Sequence, residues 1–144
     1  MSSYPLTITT HSYEETFEWA KEFGQKLLPN DVVCFFGGLG AGKTTFIKGL
    51  AKGASNVNEE EVQSPTFALL NIYPEKPPIY HFDLYRLNSG DEFFQLGFDE
   101  YFSSNGICCI EWAERIKEHI PEGSFLIYLE ANSENERKII VQRK

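Results

Sequence analysis

The sequence predicts an α/β domain whose sheet is extended by antiparallel strands. One observation is an apolar run, VVCFF, that leads into the glycine-rich segment GGLGAGKTTF and then into a helical pattern. Another is a series of short apolar and β-branched runs, separated by turn residues, along the rest of the chain. A third is the closing pair SFLIYLE and RKIIVQR around ANSEN, which predicts a hairpin. Because the sequence has no internal repeat or linker, residues 1–144 are expected to form one domain.

The N-terminal part is predicted to run strand, helix, strand, glycine-rich loop and helix. An extended segment covers Leu6 to Thr10. The first helix, SYEETFEWAKEFGQKLL, has Ser12 as its cap and Glu15 as the partner in a capping box. DVVCFF has the length and composition of a buried strand. The helix after the glycine-rich loop, TTFIKGLAKG, is expected to end near Gly53.

In the middle of the chain, the sequence predicts an exposed loop, three strands and two short helices. The loop is NVNEEEVQSPTF, which carries three successive glutamates and little periodicity. FALLNIY and PIYHFDLYRL are two strands on either side of the turn PEKPP, and ICCIEW is a third. Ser89 is expected to cap a helix through GDEFFQLGFDEYF, and AERIKEHI is expected to form one or two helical turns.

Composition argues against several classes of protein. The formal net charge of -8 disfavours autonomous binding to nucleic acid, because such binding depends on Lys and Arg contacts to phosphates. No apolar run approaches the roughly 20 residues that cross a bilayer, and the N-terminus lacks the features of a secretory signal. Cys34, Cys108 and Cys109 lie in apolar runs, and the adjacent pair is expected to face opposite sides of a strand. We therefore expect a cytoplasmic protein with reduced thiols and no membrane contact.

The segment from Gly37 to Thr44 matches the pattern Gly-x-x-x-x-Gly-Lys-Thr between a strand and a helix. Glycines allow several backbone N–H groups to converge on an anion, and the helix N-terminus adds partial positive charge. Lys43 is expected to reach the outer phosphates, and Thr44 to offer its hydroxyl to magnesium. The predicted nucleotide-binding residues are Gly37, Gly38, Leu39, Gly40, Ala41, Gly42, Lys43, Thr44 and Thr45.

A nucleoside triphosphate site also needs an acid that holds magnesium and a group that positions the attacking water. Two strand-end acids are candidates, Asp83 after IYHF and Glu111 after ICCI, and the sequence does not divide the two roles between them. His81 lies two residues before Asp83 and shares its strand face, so it is either a positioning group or a packed core histidine. Thr66 is either a sensor of the terminal phosphate or a turn residue. Trp112, beside Glu111, is part of either a partner surface or the core.

Four segments, GGLGAGKTTF, SPTF, HFDLYRL and IEWAER, occur in this order between residues 37 and 115, and together they resemble the bacterial TsaE family. Its members are the small ATPase subunit of the machinery that makes threonylcarbamoyladenosine in transfer RNA. The resemblance implies a three-layer, P-loop NTPase-like domain with a mainly parallel sheet, ATP as ligand and Mg²⁺ as cofactor. It also implies two partners, a sugar-kinase-like catalytic subunit and its inactive paralogue, with transfer RNA contacted only indirectly. In that picture weak, partner-dependent ATP hydrolysis drives or resets the complex, and carbamoyl transfer takes place on the partner.

The resemblance also implies roles for individual residues. These are catalysis for Lys43, Thr66, Asp83 and Glu111, magnesium binding for Thr44, Asp83 and Glu111, and a partner or functional surface for Trp112. One position departs from the family pattern, because Gly38 stands where members usually carry an acidic residue. A hydrogen bond made by that acid, or the rigidity it gives the loop, is therefore in question, whereas phosphate binding by backbone N–H groups is not.

Three other functions share parts of this pattern. A small nucleotide kinase has the same loop, but such kinases surround the transferred phosphate with lid arginines, and the four arginines here lie in no recognisable lid segment. A GTPase would carry an Asn-Lys-x-Asp sequence, which is absent. A nucleotide-gated binding module with negligible hydrolysis would use the same residues, and the sequence leaves it open.

Overall fold

The computed structural model describes residues 4–38 and 40–144, and within them seven strands form one sheet. The strands are β1 (Leu6–Thr10), β2 (Val32–Phe36), β3 (Leu70–Tyr73), β4 (Ile79–Asp83), β5 (Ile107–Glu111), β6 (Phe125–Ala131) and β7 (Arg137–Arg143). Their order across the sheet is β1-β7-β6-β2-β5-β4-β3. The four central strands, β6, β2, β5 and β4, are parallel, whereas β7, β1 and β3 join antiparallel. The predicted α/β fold with antiparallel additions is confirmed.

Helices cover both faces of the sheet. On one face lie α1 (Tyr13–Gln25) and α2 (Lys43–Ser55), where Phe46 of α2 packs against Phe23 of α1 and Phe35 of β2. On the other face lie α3 (Gly90–Gln95) and two 3-10 helices, Phe98–Ser103 and Ala113–His119. There Phe93 packs against Phe82 of β4. The chain therefore has the three layers that the resemblance implies.

The central strands are apolar along almost their whole length because both of their faces are covered. Successive residues enter different cores, so that Cys109 faces α1 and α2 while Cys108 and Cys34 face α3. All three thiols are buried and unpaired. Burial raises the pKa of the Cys34 thiol to about 12 and also raises the pKa of the other two. These thiols are therefore held in their unreactive, protonated form.

Two helix ends differ slightly from the predicted ones. Ser12 caps α1 by accepting a hydrogen bond from the Glu15 N–H at 3.1 Å, but the Glu15 carboxylate accepts from the His11 N–H, one residue earlier than in a standard capping box. α2 continues past Gly53 to Ser55 and is capped by Asn56, whose φ of 56° is left-handed. Gly53 is needed for packing instead, because a side chain there would overlap the Lys21 carbonyl of α1.

Two segments after α2 also differ in detail from the prediction. The exposed loop contains one turn of 3-10 helix, Glu59–Glu61, and is anchored on each side by buried Val57 and Val62. The helix expected after Ser89 stops at Gln95, because Gly97 adopts a left-handed φ of 75° and separates α3 from the next 3-10 helix. Among residues 4–38 and 40–144, no helix combines the length and apolar character that a bilayer crossing requires.

Candidate nucleotide site

The candidate site lies at the edge of the sheet where β2, β4 and β5 end. Parallel strands bring their carboxyl ends to the same edge, so the residues at those ends converge there. A cavity of about 480 Å³ opens at this edge, beside the glycine loop (residues 37–42) and the 56–69 loop between α2 and β3. It is lined by Gly40, Ala41, Gly42, Lys43, Thr44, Thr45, Ser64, Thr66, Asp83, Glu111, Trp112 and Arg137.

The glycine loop turns sharply between β2 and α2. Gly40 (φ 76°) and Gly42 (φ 100°) adopt conformations that a residue with a Cβ rarely takes. A Cβ at Gly37 would lie 2.6 Å from the Leu129 carbonyl oxygen, so β6 leaves no room for one. At Gly38, in contrast, a Cβ would meet nothing within 4 Å, so packing does not require the glycine there. Leu39, which was predicted to belong to the site, lies outside the described residues.

Lys43, the first residue of α2, folds back across the glycine loop. Its Nζ donates a hydrogen bond to the Gly37 carbonyl at 2.9 Å and lies 4.3 Å from the centre of the Trp112 ring. The side chain is almost fully buried. The N-terminus of α2, with its partial positive charge, forms the same wall of the cavity. An anion in the cavity would therefore meet both a cation and a helix N-terminus.

Thr44 is connected to Glu111 through the hydroxyl of Ser64. The Thr44 Oγ1 and Ser64 Oγ atoms are 3.2 Å apart, and Ser64 Oγ donates to Glu111 Oε2 at 2.9 Å. Ser64 belongs to the 56–69 loop, whereas Thr44 and Glu111 lie on α2 and β5. Three separate elements therefore place oxygen atoms together at the mouth of the glycine loop.

Asp83 lies beside Glu111, because the two residues are register partners on the parallel strands β4 and β5. Its Oδ1 accepts a hydrogen bond from the Tyr85 N–H at 3.0 Å, and its Oδ2 accepts one from the Thr66 hydroxyl at 3.4 Å. Both acids are only 4% exposed. The structure thus brings the two predicted acids and the predicted loop threonine to one cavity.

His81 is fully buried and contacts Glu111 rather than Asp83. Its Nε2 lies 2.7 Å from Glu111 Oε2, and its Nδ1 lies 2.9 Å from the hydroxyl of Tyr73. His81 is the register partner of Cys109, so Glu111 is its diagonal neighbour on the next strand. His81 thus combines the two alternatives that the sequence left open, because it is a buried, hydrogen-bonded core residue and its partner is one of the acids.

Trp112 sits between the cavity and the protein surface. It adopts a left-handed φ of 58°, which ends β5 and turns the chain. Its ring lines the cavity, contacts Lys43 and packs on Tyr85 with ring centres 4.9 Å apart. The partner-surface role of Trp112 stays a prediction, and the structure shows that its ring contacts the lysine of the glycine loop.

Three residues of the site were not singled out by sequence reasoning: Ser64, Tyr73 and Arg137. Arg137, at the start of β7, donates from Nη1 to the carbonyls of Ser133 and Glu134 at 2.9 and 3.1 Å, and from Nη2 to Gly40 at 3.3 Å. It thereby ties the β6–β7 turn to the glycine loop. No local motif predicts this contact, because the two segments are far apart in the chain. Ser64 could have been predicted as a site residue, because it lies directly before Pro65 and the candidate Thr66.

The polar groups that line the cavity are of the kinds that bind magnesium and a polyphosphate. Mg²⁺ prefers oxygen ligands and is commonly held by one or two carboxylates together with substrate phosphates. The Thr44 hydroxyl and the two acids supply such oxygens. Among the described residues, no group of three or more His, Cys, Asp or Glu side chains could hold a metal ion by themselves. In such sites, phosphate oxygens and water molecules are the usual remaining ligands of Mg²⁺.

A sheet of this kind, with a glycine-rich strand-to-helix loop and two strand-end acids, is typical of nucleotide-binding α/β proteins. The family model described as "Threonylcarbamoyl adenosine biosynthesis protein TsaE" matches residues 10–139. The chain therefore belongs to the TsaE family, and the resemblance stated from its four motifs is confirmed.

Individual relatives agree with this assignment. The tRNA threonylcarbamoyladenosine biosynthesis protein TsaE of Treponema pallidum is 40% identical over 136 residues, which cover 94% of this chain and 99% of that protein. The protein of the same name from Bacillus subtilis is 42% identical over 127 residues, covering 88% of this chain and 78% of the relative. The crystal structure of Bacillus subtilis YdiB superposes with a TM-score of 0.78 at 34% identity, covering 100% of this chain and 89% of that one.

Proposed function

We propose that this chain is an ATP-hydrolysing subunit that supports formation of threonylcarbamoyladenosine in transfer RNA. The observation that carries the proposal is the cluster of Lys43, Thr44, Ser64 and Glu111 at the mouth of the glycine loop. A cation, a helix N-terminus and oxygen ligands for magnesium meet there, as the triphosphate of a nucleotide requires. The biological role is taken from the family and from the names of the relatives.

We assign a separate role to each group of residues that lines the cavity. Backbone N–H groups of the glycine loop and the Lys43 ammonium bind phosphate oxygens. We assign Thr44 and Glu111 to the metal side, since Ser64 already joins their oxygen atoms. We assign Asp83 to the attacking water, together with Thr66, because these two lie on the side of Glu111 away from β2. Bound Mg²⁺ would neutralise charge on the phosphates.

We place the nucleoside in a second cavity of about 240 Å³, which shares Gly42, Thr45 and Arg137 with the first. This cavity lies between the start of α1 and the β6–β7 turn. Tyr13 offers an aromatic surface there, and Asn135 offers an amide that both donates and accepts hydrogen bonds, as a purine edge requires. Tyr13→Ala is expected to weaken ATP binding several-fold and to leave inorganic tripolyphosphate binding unchanged. Lys43→Ala should weaken both, which separates the nucleoside end from the phosphate end.

The acidic chain fits a subunit that acts through protein partners. With a formal net charge of -8, it is poorly suited to grip RNA by itself, but it is suited to meet basic surfaces of partner proteins. We propose that the partners are the sugar-kinase-like catalytic subunit and its inactive paralogue, that transfer RNA is contacted through them, and that all of them meet in the cytoplasm.

Reconstituted modification of transfer RNA tests this function. The purified chain, the two partner proteins, ATP, an activated threonylcarbamoyl donor and unmodified transfer RNA are combined, and the number of threonylcarbamoyladenosine residues formed per complex is measured. We expect many rounds with the wild-type chain and about one round with Glu111→Gln, if hydrolysis resets the complex. Full multi-round activity of Glu111→Gln would remove the hydrolytic role and favour a nucleotide-gated binding module.

A further inference from the structure

Behind the cavity, a closed ring of hydrogen bonds links the 56–69 loop to Glu111 by two routes. The direct route is Ser64 Oγ to Glu111 Oε2, at 2.9 Å. The indirect route begins at Gln63, the residue before Ser64, whose N–H donates to the Tyr73 hydroxyl at 3.3 Å. That hydroxyl lies 2.9 Å from His81 Nδ1, and His81 Nε2 lies 2.7 Å from the same Glu111 Oε2.

One arrangement of protons satisfies the whole ring. With the proton of His81 on Nε2, His81 donates to Glu111, Tyr73 donates to Nδ1, and the Gln63 N–H donates to Tyr73. The Gln63 carbonyl, which lies 3.3 Å from the Tyr73 hydroxyl, then accepts from the Asn71 side-chain amide at 3.0 Å. Burial raises the pKa of the Tyr73 phenol, which keeps its proton available. Every group in the ring therefore has a partner, as buried polar groups require.

The ring is positioned by the sheet rather than by the loop. Tyr73 lies on β3, His81 on β4 and Glu111 on β5, and each is the diagonal neighbour of the next on the face that carries α1 and α2. His81 is wholly buried and Tyr73 is 6% exposed. Two residues further along, Thr66 bonds to Asp83. The rigid sheet thus fixes the loop at the point where it reaches both acids.

We propose that Tyr73 and His81 are positioning residues that hold Glu111 and the Gln63–Ser64 segment as one unit, so that loosening one end of the ring loosens the other. The proposal rests on the proposed function insofar as Glu111 faces magnesium and phosphate. It adds a chain of contacts through which a ligand bound at Glu111 would also restrain the 56–69 loop. Groups that hold a metal-binding carboxylate from behind commonly affect metal affinity about 10- to 100-fold.

Hydrogen exchange of the nucleotide-free chain tests the coupling without any ligand. The Gln63 N–H donates to Tyr73 and has no direct hydrogen bond to His81, so His81→Leu is expected to speed exchange of the Gln63 amide only if the ring couples them. His81→Gln, whose amide can still donate to Glu111, should restore part of the protection. Unchanged exchange of the Gln63 amide in His81→Leu would overturn the proposal.

Magnesium dependence supplies the second test, with a matched pair of tyrosines. Tyr73→Phe removes only the hydroxyl in the ring, while Tyr80→Phe removes a hydroxyl that bonds to the Ser104 carbonyl on the opposite face of the sheet. Mg²⁺ is expected to increase the affinity for ATP, and the Mg²⁺ concentration that gives half of this increase is the midpoint. We expect Tyr73→Phe to raise this midpoint about tenfold. Affinity for metal-free ATP should stay the same, and Tyr80→Phe should resemble wild type.

The results distinguish a failure of the positioning role from a failure of the proposed ATP-binding function. Equal Mg²⁺ midpoints for Tyr73→Phe and Tyr80→Phe would overturn the positioning role. A wild-type chain that binds no ATP at any Mg²⁺ concentration would refute the proposed function instead, and the exchange comparison would then decide the coupling by itself.

Discussion

Asp83 and Glu111 have nearly the same setting in the sequence and different settings in the structure. Each is the last residue of a buried strand, the two are register partners, and each is 4% exposed. Glu111 is held from the interior of the sheet by His81 and from the loop by Ser64. Asp83 is held only near the surface, by the Tyr85 N–H and a long hydrogen bond from Thr66.

This difference suggests that the two acids do different work. A carboxylate fixed at the same oxygen by two donors is preorganised, which suits a ligand that must meet a metal in one orientation. Each Asp83 oxygen, in contrast, accepts from a single donor, one of them at 3.4 Å, so it keeps capacity to accept a hydrogen bond from water, which suits a group that orients water. The contrast comes from neighbouring strands and the loop, since the strand ends themselves are equivalent.

The largest expected effect concerns Lys43, which lines the same cavity as the two acids. Lys43→Ala should lower ATP affinity about 100-fold, because it removes a charge-assisted hydrogen bond to phosphate. Calorimetric titration with ATP measures this. Lys48→Ala is the matched control, since Lys48 lies on the same helix but does not line the cavity. Equal losses for the two variants would point to net charge rather than to a phosphate contact.

Substitution of Asp83 and Glu111 should show which acid binds magnesium and which one acts on the attacking water. Both Glu111→Gln and Asp83→Asn are expected to lower ATP turnover on the order of 100-fold, because each removes a charge that acts on the reacting groups. Only Glu111→Gln should also raise the Mg²⁺ concentration needed for tight ATP binding. Magnesium titrations of both variants provide the measurement, and a shift confined to Asp83→Asn would reverse the assignment.

A smaller effect is expected from the loop partner of Asp83. Thr66→Ala removes the 3.4 Å hydrogen bond to Asp83 and should lower turnover about fivefold, the equivalent of about 1 kcal/mol. The Mg²⁺ midpoint should not change, because Glu111 keeps both of its donors. Thr66→Ser, which retains the hydroxyl, should turn over ATP at nearly the wild-type rate. If Thr66→Ser is as slow as Thr66→Ala, the hydroxyl is not the cause.

The smallest expected effect is on Trp112. Trp112→Ala removes the ring beneath Lys43 and should weaken ATP binding about threefold, within the range of a cation–π contact. Trp112→Phe should recover most of this loss. A larger defect in transfer RNA modification than in ATP binding would support the predicted partner surface, whereas equal defects would confine Trp112 to the nucleotide site.

The sequence predicts the fold and the convergence of the two acids well. Strand ends and glycine loops are local patterns, and the geometry of parallel strands then brings Asp83, Glu111 and Lys43 to one edge. Contacts that depend on register could not be predicted, because whether His81 meets Asp83 or Glu111 is decided by its pairing with β5. Likewise, the local pattern marks Gly53 as a helix end, whereas in the structure α2 continues to Ser55 and Gly53 is required by its close tertiary contact with α1.

Whether this chain hydrolyses ATP is decided by its magnesium-dependent ATP turnover, measured for the purified chain alone and with the two proposed partner proteins. Lys43→Ala serves as the blank in both settings. We expect slow turnover by the chain alone, well above the blank, and strong stimulation by the partners. Turnover at the level of the blank in both settings, with ATP still bound, would contradict this expectation.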